Sequence, residues 1–190
     1  MKVFLGLFAP YLAVLVFWVG FSNAWLAMLA YHAQILLFTR GRLPMPKLPA
    51  VRSSLLWALP ALLAGPLVFL LLPVMAGDTL STWLLDHRVT APMLLMLLPY
   101  FGLLHPWLEQ AHWNPLRQRS WLAHPLFAGY HVIVLWTLTT GPWLAVSFFT
   151  LSGVSMFWSW ITRRSQSLVP AYLSHALADS VILIAAFLRA

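Results

Sequence analysis

The stretch Leu55–Ala76, LLWALPALLAGPLVFLLLPVMA, contains no charged side chain. Roughly 20 apolar residues are enough to cross the hydrocarbon of a bilayer as a helix. Further apolar runs cover Val3–Phe21, Ala24–Phe38, Pro92–Gln110, Trp121–Leu138, Pro142–Ile161 and Leu168–Leu188. None of them alternates with a two-residue period, so barrel strands are excluded. Backbone polar groups in lipid must be satisfied within the segment, so these runs are expected to be helices. The fold class is therefore all-α: a polytopic transmembrane helix bundle of about six to seven membrane helices. Residues 3–38 form either a short hairpin closed at Ser22-Asn23 or one long tilted helix. The chain reads as a single integral membrane domain, with N-terminal helices in 1–91 and further helices in 92–190.

Composition supports this. Hydrophobic residues make up 62% of the chain and charged residues 8%, where a soluble domain carries about 25%. Too little charge is present to cover a water-facing surface. The net charge of +7 does not point to nucleic acid, because the basic residues lie between the apolar runs. They cluster at Arg40, Arg42, Lys47 and Arg52, then Arg117 and Arg119, then Arg163 and Arg164. The basic segments 39–54, 111–120 and 162–167 alternate with the non-basic 77–91 and 139–141. That alternation places the basic loops in the cytoplasm, as in a bacterial inner membrane protein. The chain has no cysteine, which excludes thiolate chemistry. Its start resembles a signal peptide, but apolar character resumes at Ala24, favouring a retained membrane segment. Pro92, Pro125, Pro142 and Pro170 stand near run starts, where a missing N–H costs little. Pro60, Pro66, Pro99 and Pro106 are internal and should kink or break their helices.

Ionisable groups inside membrane spans are costly and mark function by default. Here they are Glu109, His131, His175 and Asp179, with His32 and His105 beside them. His175 and Asp179 share a helix face at i, i+4, so a carboxylate can orient the imidazole. Such a pair can equally join two helices. The topology puts Glu109, His131 and His175 between the cytoplasmic surface and mid-membrane. A carboxylate and two imidazoles at one depth can activate water and stabilise a tetrahedral intermediate. His105, Glu109 and His112 also fall on one face and could hold zinc or iron. Against this, Pro106 is expected to break the helix between the first two, and His112 to be solvated. No phosphate loop, zinc knuckle or serine elbow is present.

Three motifs in order over residues 106–179 resemble the CAAX-protease and bacteriocin-processing (CPBP) family. That family carries Glu-Glu-x-x-x-Arg, then Phe-x-x-x-His, then His-x-x-x-Asn or Asp. The counterparts here are Pro106-Trp107-Leu108-Glu109-Gln110-Ala111-His112-Trp113-Asn114, Phe127-Ala128-Gly129-Tyr130-His131, and His175-Ala176-Leu177-Ala178-Asp179. Two positions depart: Gln110 replaces the second Glu, and Asn114 the Arg. The spacing between the first two motifs is also short. Positions 110 and 114 are i, i+4, so a neutral Gln110–Asn114 hydrogen bond is expected in place of an ion pair.

The resemblance implies an intramembrane glutamic endopeptidase. Glu109 would activate water, aided by His131; His175 and Asp179 would stabilise the oxyanion; Gln110 and Asn114 would support the site. It implies no cofactor, with zinc as the alternative. The partners it implies are membrane lipid and a membrane-associated or lipidated peptide or protein substrate. Gln110 and Asn114 also suit a second reading, a non-proteolytic scaffold, immunity or assembly factor of similar fold.

Overall fold

The computed structural model describes residues 2–41, 43–44 and 49–190, apart from the side chains of Lys2 and residues 49–53. Arg42, Lys47 and the Arg52 side chain, read above as part of a basic loop, lie outside the described residues. All regular structure among the described residues is helical.

Helix α1 (Lys2–Ala13) runs into a π-helical stretch, Val14–Gly20. The chain then reverses at Ser22, whose φ is 45°. Asn23 caps α2 (Ala24–Thr39), its side chain accepting from the Leu26 amide at 3.1 Å. Such a cap satisfies one of the free N–H groups of the first turn. Of the two arrangements open for residues 3–38, the hairpin is the one formed. Helix α3 (Pro49–Ala58) passes through a 3₁₀ turn at Leu59–Leu63 into α4 (Ala64–Ala76). Pro60 stands in that turn and Pro66 in the first turn of α4, so the expected breaks occur where a ring cannot sit mid-helix.

The segment 77–91 is not all loop, because it holds α5 (Leu80–Asp86). The run 92–110 is divided: α6 (Ala91–Met96) ends before Pro99, a π-helical turn covers Tyr100–Leu104, and α7 spans His105–Arg119. Two expectations fail here. Pro106 does not separate His105 from Glu109; it stands in the first turn of α7, where its missing N–H costs nothing. Nor is 111–120 a loop, since α7 continues through it and buries Arg117 to 4% exposure. Helices α8 (Ala123–Leu135), α9 (Gly141–Ser165) and α10 (Val169–Arg189) complete the chain. Gln166 closes α9 in the left-handed conformation, φ 52°.

Among the described residues, four stretches are long and apolar enough to cross a membrane: Val3–Gly20, Ser54–Ala76, Gly141–Ser165 and Val169–Arg189. The apolar helices Ala24–Thr39 and Ala123–Leu135 are shorter. Leu37, Leu56 and Phe149 stand outward at 78%, 74% and 72% exposure, an exterior suited to hydrocarbon and unsuited to water.

Helix α10 is central, packing on α3, α4, α6, α7 and α9. One buried cluster joins Leu7, Tyr31 and Ile35 of the first hairpin to Leu108, Trp113, Phe127, Trp158 and Ile161. A second gathers Leu72, Leu80, Leu84, Leu94 and Leu138. The first cluster encloses the polar residues of interest, so the N-terminal hairpin walls a site whose motifs lie in the other half.

Candidate active site

Glu109 is 1% exposed, in the second turn of α7. A buried carboxylate is tolerated only when donors or cations satisfy it. Its two oxygens are treated differently. The hydroxyls of Tyr31 and Tyr130 both donate to Oε1, and Tyr31 in turn accepts from Trp113 Nε1 at 3.0 Å. Oε2 is buried and has no hydrogen-bond partner. It lies 3.6 Å from His175 Nε2 and 3.8 Å from His105 Nε2. Asp179 completes the group, its Oδ2 3.4 Å from His175 Nε2 and 4.0 Å from His105 Nε2.

The proton positions follow from the partners on the far side of each ring. Arg117 Nη1 donates to Gln110 Oε1 at 2.9 Å, which leaves the Gln110 amide N–H groups facing His175 Nδ1 at 3.3 Å. Nδ1 is therefore an acceptor, and neutral His175 carries its proton on Nε2, toward the two carboxylates. Trp158 stacks on the ring at 4.3 Å between centroids and holds its plane.

On the other side, His32 Nδ1 lies 2.6 Å from the Met28 carbonyl. A carbonyl only accepts, so that nitrogen bears the proton. His32 Nε2 then accepts from His105 Nδ1 at 3.1 Å, and the His105 Nε2 lone pair points into the site. The Tyr100 hydroxyl lies 2.6 Å from His32 Nδ1, whose proton it shares with the Met28 carbonyl, and 3.2 Å from His32 Nε2, an acceptor it shares with His105.

Of the residues expected from sequence, Glu109, His175, Asp179 and Gln110 come together. His131 lies within electrostatic range of Glu109 without being in hydrogen-bond contact with it. Its Nδ1–H donates to the Phe127 carbonyl at 2.8 Å, and its ring stacks on Tyr130 at 4.1 Å. The expected Gln110–Asn114 hydrogen bond is absent: Gln110 bonds Arg117 and His175 instead. Asn114 lines a separate shallow polar recess of about 230 Å³ with Gln118, Thr162, Arg163 and Gln166. His112 is not solvated. It is 3% exposed and donates from Nε2 to the Gly6 carbonyl at 3.0 Å, away from the site.

Tyr31, Tyr130 and Arg117 were not expected in these roles. Arg117 is 4% exposed. It packs 5.0 Å from the Phe127 ring centroid and 5.5 Å from that of Trp158, where the ring faces replace part of its lost hydration.

His105, His175 and Asp179 offer ligand atoms within 4.8 Å of one another, with Glu109 Oε2 beside them, so the donor set is one a transition metal accepts. The His175 proton opposes this, because a ring nitrogen that bears hydrogen has no lone pair to give. No protein-family model matches the chain, and neither the curated proteins nor the solved structures compared with it give a match.

Proposed function

We infer that the chain is a membrane-embedded peptidase of the CPBP kind, in which Glu109 activates water. The observation that carries this reading is the Glu109 carboxylate itself. Oε1 is fixed by two tyrosine hydroxyls, while the buried Oε2 lacks a partner and faces a histidine N–H. A general base needs a free lone pair within reach of water, and the tetrahedral intermediate needs a donor on its oxyanion. Glu109 Oε2 offers the free lone pair, which substrate entry would have to bring into reach of water, and His175 Nε2–H the donor. As water attacks the scissile carbonyl carbon, one of its protons passes to Glu109. The carbonyl electron pair collects on oxygen against His175. When the C–N bond breaks, its electron pair goes to nitrogen, which takes the proton from Glu109. Asp179 orients His175, and His131 adds field at the site's edge. This reading places about six or seven helices in a bacterial inner membrane, with the basic segments cytoplasmic. The substrate is then a lipidated or otherwise membrane-held peptide that enters at that side.

The test is to compare the termini of membrane-associated polypeptides in cells carrying the native chain with those in cells carrying Glu109→Gln. Termini that vanish in the variant, and are regenerated by the purified protein in proteoliposomes, support the peptidase. An unchanged set, with the host phenotype intact, leaves the scaffold reading in its place. The donor set favours one further reading, a metal enzyme. Stoichiometric zinc or iron in the purified protein, lost in Asp179→Asn, would establish it.

A further inference from the structure

We propose that His105 is a second catalytic residue, holding the attacking water by its other hydrogen, and that His32 is the positioning residue that makes this possible. The proposal rests on the peptidase reading and assigns roles outside the three motifs. Two carboxylate oxygens stand 3.8 and 4.0 Å from His105 Nε2. Left to itself, a neutral imidazole so placed would put its proton on that nitrogen and donate to them. It is prevented from doing so from behind. The Met28 carbonyl fixes the His32 proton on Nδ1, His32 Nε2 becomes an acceptor 3.2 Å from the Tyr100 hydroxyl, and His105 meets it at 3.1 Å by placing its own proton on Nδ1. The cost is a lost bond to a carboxylate, and the result is a lone pair turned into the site.

A water whose oxygen lies about 2.8 Å from two acceptors donates to both through linear bonds when they stand roughly 4.4 Å apart, and through bonds bent by roughly 10° each when they stand slightly closer, still well aligned. Glu109 Oε2 and His105 Nε2, at 3.8 Å, therefore suit the two hydrogens of a single water. Its oxygen lone pair is then free for the carbonyl carbon. One proton goes to Glu109 during attack. The second stays on oxygen, bonded to His105, through the tetrahedral intermediate. After the C–N bond breaks, the new carboxylic acid gives that proton to His105, which returns it to solvent. Glu109 hands the first proton to the leaving amine. Atoms and charge balance without another reactant.

The experiment is ¹⁵N NMR of the full chain, labelled at histidine and held in lipid nanodiscs, beside turnover of a substrate found by the terminus comparison. In the native protein His105 should show a protonated Nδ1 and a bare Nε2. His32→Phe should reverse this tautomer and lower kcat roughly 100-fold or more with little change in KM, the scale of a lost positioned proton acceptor. His32→Gln, whose amide oxygen can accept from His105 Nδ1, should restore most of both. A native His105 protonated on Nε2 overturns the proposal, and that reading survives even if His32→Phe fails to fold. Unchanged kcat in a folded His32→Phe with a reversed tautomer overturns the catalytic role and leaves the peptidase standing. A silent Glu109→Gln removes both.

Discussion

Replacing either tyrosine that donates to Glu109 with phenylalanine conserves ring volume, so the hydroxyl is the only change. The two substitutions should nevertheless differ in cost. Tyr130→Phe removes one hydrogen bond to a charged acceptor, worth about 1.5–3 kcal/mol, and leaves Oε1 bonded to Tyr31. Tyr31→Phe removes an equivalent bond and also the acceptor of Trp113 Nε1, 3.0 Å away. Trp113 is fully buried, so no water can replace that acceptor. Leaving such a donor unmet adds about 1–3 kcal/mol. Tyr31→Phe should therefore be the more destabilising of the two by about 1–3 kcal/mol. The double variant should exceed the sum of the singles, because only then does a buried carboxylate oxygen lose both partners. Equilibrium unfolding of the purified protein in mixed micelles measures all three against the native chain. Equal costs, or a greater cost for Tyr130→Phe, would refute the assignment of Trp113 to Tyr31. A strictly additive double variant would refute the shared acceptor.

Other consequences test separate parts of the structure. Arg117→Met should free the Gln110 amide to turn over, and His175 should change from one tautomer to a mixture by ¹⁵N NMR; the bias lost is about tenfold or more for a charge-assisted bond. Stability should fall, since the buried Glu109 carboxylate loses the attraction of that cation, a loss only partly offset by the desolvation cost removed with the guanidinium. Gly65→Ala should destabilise by about 1–3 kcal/mol: a Cβ there would lie 2.7 Å from Val181 Cβ and 2.8 Å from the Val181 carbonyl oxygen, where α4 meets α10. Gly153→Ala meets nothing within 4 Å and should stabilise α9 by roughly 0.5–1 kcal/mol, with the same unfolding measurement as the check.

Depth and periodicity were enough to find Glu109, His175 and Asp179. Runs of apolar residues fix where each helix enters the membrane, and i, i+4 spacing fixes the shared face of the last two. Tyr31 and Tyr130 left no comparable mark, because an uncharged hydroxyl in an apolar run is ordinary. Their only trace is that each immediately precedes a histidine of interest, His32 or His131. Which helix stands beside which is also not written in a single chain. That is why a site with its motifs in residues 106–179 draws Tyr31 and His32 from the first hairpin.

Arg117 was misread for a reason that can be worked through. Basic residues after an apolar run look like loop charges, and Asn114 stands where the family's motif has arginine. On a helix of about 3.6 residues per turn, a residue four positions on is rotated by roughly 40° from its starting face, and one seven positions on by only about 20° the other way. Once α7 continues past Gln110, Arg117 is thus better aligned with it than Asn114 is.

The tautomer of His175 also turns on that contact. A glutamate at position 110 would accept a hydrogen bond from His175 Nδ1 and leave the Nε2 lone pair turned toward Asp179, Glu109 and His105. A glutamine held by Arg117 can only donate to Nδ1, so the proton moves to Nε2, where under the peptidase proposal the ring would serve as the oxyanion donor. The departures at 110 and 114 therefore do not argue for a decayed site. With arginine placed one turn later, they form a different support with a definite consequence for which nitrogen of His175 bears the proton.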